Sequence, residues 1–173
     1  VNPGPKLHAE PIQDLMESEK VTIDAGVPTI WMGVLEQLDG RDVSSLRAIP
    51  CGGSAVPKSL SEGYREKIGL PILQAWGMTE TSPLAAIAHV KSSEANLDEE
   101  AKADIRASVG TIVPTVEFRI CEPGSIEPLP WDGESSGELQ VRGSFITAEY
   151  YKRPDASDSF TEDGWLRTGD VAT

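Results

Sequence analysis

The stretch "LRAIPCGGSAVPKSLSEGYREKIGLPILQAWGMTE", Leu46 to Glu80, decides the fold. It opens on a short apolar run, "LRAIP", and passes through a glycine pair into "PKSLSEGYREKIG". There Pro57 stands at the start, Leu60, Tyr64 and Ile68 share one helical face, and Gly69 closes the segment. A second apolar run, "LPILQA", follows, and then "WGMTE". Strand, loop, helix, strand, loop is the repeat of a parallel sheet flanked by helices. Ligands in such sheets sit beyond the carboxyl ends of the strands, so "CGGSA" and "WGMTE" are expected as neighbours on one rim.

The pattern extends upstream. "PIQDLMES" sets Ile12, Leu15 and Met16 on one helical face, and "KVTIDAGVP" is a short β-branched run. "PTIWMGVLEQLDG" begins with Pro28 in a first-turn position, repeats Ile30, Val34 and Leu38, and ends at Gly40. Downstream, "PLAAIAHV" reads as a further strand. The period then changes to two: "VEFRI" alternates Val116, Phe118 and Ile120 with Glu117 and Arg119, and "ELQVR" does likewise. The expected fold is α/β: a mostly parallel sheet with flanking helices over residues 1–95, an acidic linker over 96–108, and a small antiparallel β unit over 109–173.

The bulk numbers narrow the function. The 173 residues carry 15 Lys and Arg against 28 Asp and Glu, a net charge of −13. A surface so acidic repels a phosphate backbone and speaks against nucleic acid, but local donors can still hold a nucleotide. The two cysteines, Cys51 and Cys121, are far apart, lack metal-ligand spacing and read as reduced thiols. No apolar run reaches spanning length, and the expected location is the cytoplasm.

Three segments hold groups suited to chemistry. In "GGSA" the backbone N–H groups precede a helix. Ser54 lacks the second glycine of a nucleophile elbow, since Val56 stands there, and a serine hydrolase is discounted. In "WGMTE" the ring of Trp76 can stack on a base, and Gly77 lets a ligand approach the backbone. Thr79 and Glu80 can serve a phosphate and its Mg²⁺. The plainer reading is a helix start with Thr79 as cap. In "DGWLRTGD", Asp163 and Gly164 read as a turn and Trp165 and Leu166 as buried. Asp170 is either a turn acid or a ribose ligand.

Taken together and in this order, "GGSA", "QAWGMTETSP" and "GELQVRG…YY…F…DGWLRTGD" resemble the adenylate-forming enzymes. Within them the chain is most similar to the medium- and long-chain fatty-acyl-CoA ligases. The resemblance implies activation of a fatty acid by ATP to acyl-AMP, then transfer to CoA. It implies that Trp76 stacks on adenine, Thr79 contacts the α-phosphate, Glu80 ligates Mg²⁺ and Asp170 binds the ribose hydroxyls. Gly53, Ser54, Ala55, Gly77 and Met78 are implied to line the nucleotide site, and Val27 to Thr29 the acyl pocket. The substrates implied are the fatty acid, ATP and CoA; homodimers of the full-length protein are common in the family. Other readings are an aryl or short-chain acid activator, a peptide-synthetase domain, or a non-catalytic module of the same fold. The sequence departs from the family's usual pattern at Ala75, at Pro114-Thr115 where "PG" is usual, and at Glu149. Neither a "TSGTTG" phosphate loop nor a lysine-bearing C-terminal domain is found, so the expectation is an internal segment that is inactive alone.

Overall fold

The structure is a computed structural model that describes Gly4 and residues 7–173. The chain divides into two compact units: residues 1–76 with 86–111, and residues 77–85 with 112–173.

The first unit carries four helices: α1 (Ala9–Ser18), α2 (Pro28–Glu36), α3 (Lys58–Ile68) and α4 (Glu99–Ala107). A mixed four-stranded sheet has the order β1 (Pro50–Cys51), β2 (Leu73–Trp76), β3 (Ala86–Ile87), β4 (Thr111–Ile112). The parallel character expected of this half lies in the β1–β2 pairing and in the bridges Ile23 to Ala48 and Gly26 to Cys51. β3 runs antiparallel to β2, because the chain reverses within residues 77–85 and returns directly beside the strand it left. "KVTIDAGVP" forms only those isolated bridges rather than a full strand.

α3 forms as its sequence dictates. Pro57 is its N-cap, and Gly69 ends it in the left-handed conformation at φ 74°. Leu60 and Tyr64 are buried on its inner face. In α2 the buried residues include Trp31 and Val34, whereas Ile30 is only half-buried. Trp31 meets Tyr64 edge-on at 6.2 Å, and the Tyr64 hydroxyl donates to the Trp31 carbonyl at 2.9 Å. These side chains, with Met16, Ile49, Cys51 and Ile72, make one apolar core. Cys51 and Cys121 are both buried free thiols, and burial pushes Cys51 up to about 11.

The acidic stretch at 96–108 holds α4, which packs on α3. Asp98 caps it by accepting from the Ala101 amide at 2.8 Å, and Glu99 and Glu100 favour its positive end. Lys58 of α3 reaches Glu100 and Asp104, and the buried Arg106 donates twice to Glu62. The carboxylates are thus met by cations of the neighbouring helix.

The second unit is an antiparallel sheet of β5 (Val116–Cys121), β6 (Gly137–Gly143) and β7 (Leu166–Ala172). Arg119 stands on the polar side of the alternation in "VEFRI", yet it is 7% exposed. Its guanidinium lies 4.4 Å from the centre of the Trp165 ring, and Arg142 lies 4.6 Å from it. Arg119 also donates to Gln140 at 2.8 Å and makes a two-pronged pair with Asp163 at 2.6 and 3.0 Å. The turn at Asp163-Gly164 brings Trp165 over the polar face of the sheet and buries it at Arg119 and Gln140, while Glu117 and Arg142 stay exposed. At Pro114-Thr115, where the family usually has glycine second, Thr115 takes φ 78°, a conformation that favours glycine.

Among the described residues, no helix is long and apolar enough to cross a membrane.

Candidate functional site

In the first unit the groups of interest gather where β1 and β2 end. Gly26 donates to the Pro50 carbonyl, and Gly52 to that of Gly26, both at 3.2 Å. A Cβ on Gly52 would stand 2.9 Å from the Ala75 carbonyl oxygen. Gly53 has φ 82° and would bring a Cβ to 3.3 Å from Val27. Gly52 is therefore required by the close approach of the β2 backbone, and Gly53 by its left-handed conformation. Gly53, Ser54 and Ala55 are exposed, beside Val27 at the start of α2. The loop is anchored from below: Gln74 accepts from the Val56 amide at 2.7 Å and donates to the Ser108 carbonyl at 3.0 Å. Trp76 ends β2, half-buried. A separate cleft of about 270 Å³ is lined by Ile12, Met16, Ile23, Asp24, Ile30 and Trp31, among others. Burial raises the carboxyl of Asp24 above its ordinary range.

Gly77, Met78, Thr79 and Glu80 belong to the second unit, on the reversing segment. Here Gly77 has a structural reason for its identity: a Cβ would run into the Pro83 carbonyl. The hub of the turn is Thr81, fully buried. Its hydroxyl accepts from the Met78 amide at 2.9 Å and donates to the Pro83 carbonyl at 2.6 Å. Thr79 to Thr81 form one 3-10 turn, with Met78 at its cap position rather than Thr79. The result presents Thr79 exposed and Glu80 half-buried.

Glu80 is held from 70 residues away. The Tyr150 hydroxyl donates to its Oε1 at 2.7 Å, and the Thr147 amide donates to its carbonyl at 2.9 Å. The acceptor raises the Tyr150 phenol above its ordinary range, because ionising it would put two negative oxygens together. Tyr150 packs on Phe160 with ring centres 5.8 Å apart. In the sequence, nothing near Tyr150 signals this contact, because its partner lies 70 residues away. Thr81, by contrast, carries a local signal: a threonine two residues before a proline in a turn.

Asp170 is exposed on β7. The β6–β7 register shifts between Glu138 and Gln140, so Thr168, Gly169 and Asp170 together face Leu139. Thr168 donates to the Leu139 carbonyl at 2.7 Å and accepts from the Asp170 amide at 3.1 Å, with Gly169 at φ 76°. Such a bulge re-aims the side chain that follows it.

Among the described residues, no three His, Cys, Asp or Glu side chains group as a metal cage. Glu80 offers a single carboxylate. That suits Mg²⁺, which keeps several waters and commonly arrives on substrate phosphates.

The family described as AMP-binding enzyme matches residues 1–151. The long-chain-fatty-acid–CoA ligase of Thermus thermophilus is 39% identical over 99% of this chain. The 3-methylmercaptopropionyl-CoA ligase of Ruegeria pomeroyi is 37% identical over the whole of it. The solved amide bond synthetase McbA of Marinactinospora thermotolerans superposes with a TM-score of 0.79 at 26% identity, over 99% of this chain and 32% of its own. The chain spans about a third of the length of these curated relatives, 32% in each case. With its first 151 residues matched, the chain belongs to the AMP-binding enzyme family.

Proposed function

We propose that this chain serves an AMP-forming fatty-acid–CoA ligase. A fatty acid's carboxylate attacks the α-phosphorus of ATP, giving acyl-AMP and pyrophosphate; the thiol of CoA then attacks the acyl carbon and releases AMP. The observation that carries the reading is the turn at residues 77–83. In a member of the AMP-binding family it exposes a hydroxyl and a held carboxylate side by side, at Thr79 and Glu80. Charge neutralisation at crowded phosphates is what this chemistry demands.

Thr79 binds the α-phosphate, and Glu80 takes the Mg²⁺ that screens the phosphates. Trp76 stacks on adenine, and Asp170 accepts from the ribose hydroxyls. Gly53, Ser54 and Ala55 offer backbone and small side chains to the nucleotide, as do Gly77 and Met78. Val27 to Thr29 border the acyl group. The 39% identity to a long-chain ligase supports a fatty acid. A second reading, a different small carboxylic acid, is favoured by the 37% identity to the 3-methylmercaptopropionyl-CoA ligase.

The test is pyrophosphate and AMP release by the full-length protein against a panel of acids with CoA. Highest kcat/KM for medium- or long-chain acids supports the fatty-acid reading. A preference for short or aryl acids replaces it with the second, and no acid-dependent release refutes both. The 173 residues alone are proposed not to turn over, since they span only about a third of such relatives. Clear acyl-CoA formation by the isolated chain would refute that.

A further inference from the structure

We propose that Tyr150 is a positioning residue for Glu80: its hydroxyl occupies Oε1 and leaves Oε2 as the oxygen available to a divalent cation. The inference rests on the reading of Glu80 as the Mg²⁺ ligand and assigns a role to a residue outside the motif.

A free carboxylate can present either oxygen, because its last torsion is broad and nearly two-fold. A donor fixed on one oxygen removes that choice. The Tyr150 donor is fixed. Its bond to Oε1 is 2.7 Å long, and its ring packs on Phe160. The segment bearing it is tied to the same turn at two further points: Thr147 N–H donates to the Glu80 carbonyl at 2.9 Å, and Ser82 Oγ donates to the Phe145 carbonyl at 2.9 Å. Those two bonds hold backbone. Of the three bonds, that of Tyr150 reaches the carboxylate itself. Removing its hydroxyl should therefore loosen the orientation of Glu80 without releasing the turn. Hydrogen bonds to a metal-ligating carboxylate commonly matter by about 10–100-fold in metal affinity or activity.

The first measurement needs neither nucleotide nor metal. In the full-length protein, tyrosine labelled at its ζ-carbon gives one NMR signal per tyrosine, and Tyr150→Phe identifies that of Tyr150 by its loss. At neutral pH this signal should move in Glu80→Gln; a signal that stays put overturns the inference. The second measurement is the Mg²⁺ dependence of ATP-dependent pyrophosphate release by the full-length protein. Tyr150→Phe should raise the KM for Mg²⁺ by about 10-fold or more, and by a larger factor than kcat falls. Tyr151→Phe is the control, since Tyr151 is 84% exposed and outside the site; it should change neither. If Glu80→Gln disturbs the Mg²⁺ dependence and Tyr150→Phe does not, the positioning role is overturned and the reading of Glu80 stands. If neither variant disturbs it, the reading of Glu80 falls and takes this inference with it.

Discussion

The two units fill their interiors differently. In the first, Trp31, Tyr64, Met16, Ile49 and Ile72 form an apolar core in which the Tyr64 hydroxyl is tethered to a backbone carbonyl. In the second, one face of the sheet buries a guanidinium. Arg119 lies against Trp165, pairs with Asp163 and leans on Gln140. The first interior follows from counting apolar residues at helical spacing. The second cannot be found that way, because its central residue looks like a solvent-facing arginine in an alternating strand. Polar alternation marks a wet face only if nothing downstream folds over it, and here the turn at Asp163-Gly164 brings an indole back.

The difference can be broken most forcefully at Gly77. Gly77→Ala drives a methyl group into the Pro83 carbonyl, a backbone atom with little room to retreat. A loss of about 3 kcal/mol or more is expected, read by denaturant unfolding and by lost amide protection in residues 112–173. Arg119→Met should come next, at about 1–3 kcal/mol, since it removes the stacking on Trp165 and the Gln140 bond together.

The same variant carries a pH signature. The Arg119 hydrogen bonds hold the Asp163 carboxyl well below the ordinary carboxylate range. A folded pKa below the unfolded one means the contribution is complete above about pH 4 and decays as pH falls toward the folded value. The acid limb of the wild-type stability curve should therefore contain a component that Arg119→Met lacks. Parallel acid limbs would contradict the pairing.

Tyr64→Phe sharpens the contrast from the other side. The apolar core keeps its ring packing and loses one tether, at about 1 kcal/mol, with no new pH dependence below neutrality. Smallest, and opposite in sign, is Thr115→Gly. It should stabilise by up to about 1 kcal/mol by relieving a β-branched residue at φ 78°. A destabilised variant would show that the threonine side chain contributes more than its backbone costs.

Much of the first unit was legible because its signals are local. Pro57, the Leu60–Tyr64–Ile68 face and Gly69 mark α3 within thirteen residues. The same logic marks α2 but does not rank adjacent apolar residues: Trp31 is fully buried, and Ile30 packs only partly buried against the core. The motif "WGMTE" stands out in the sequence as a candidate site, but the mechanics of its turn do not. Gly77 is required by a carbonyl six residues on, Thr81 ties both ends of the turn, and Tyr150 reaches Glu80 across 70 residues. Asp170 was legible as an acid after a glycine. The bulge that displays it depends on the β6 register, which no short window contains.

The central proposal is that Glu80 acts in adenylate formation. The direct measurement is carboxylic-acid-dependent exchange of labelled pyrophosphate into ATP by the full-length protein, wild type against Glu80→Gln. The account predicts exchange that requires a fatty acid and Mg²⁺ and falls by about 100-fold or more in the variant. Exchange that proceeds equally well in Glu80→Gln, or that no acid elicits in the wild type, would contradict it.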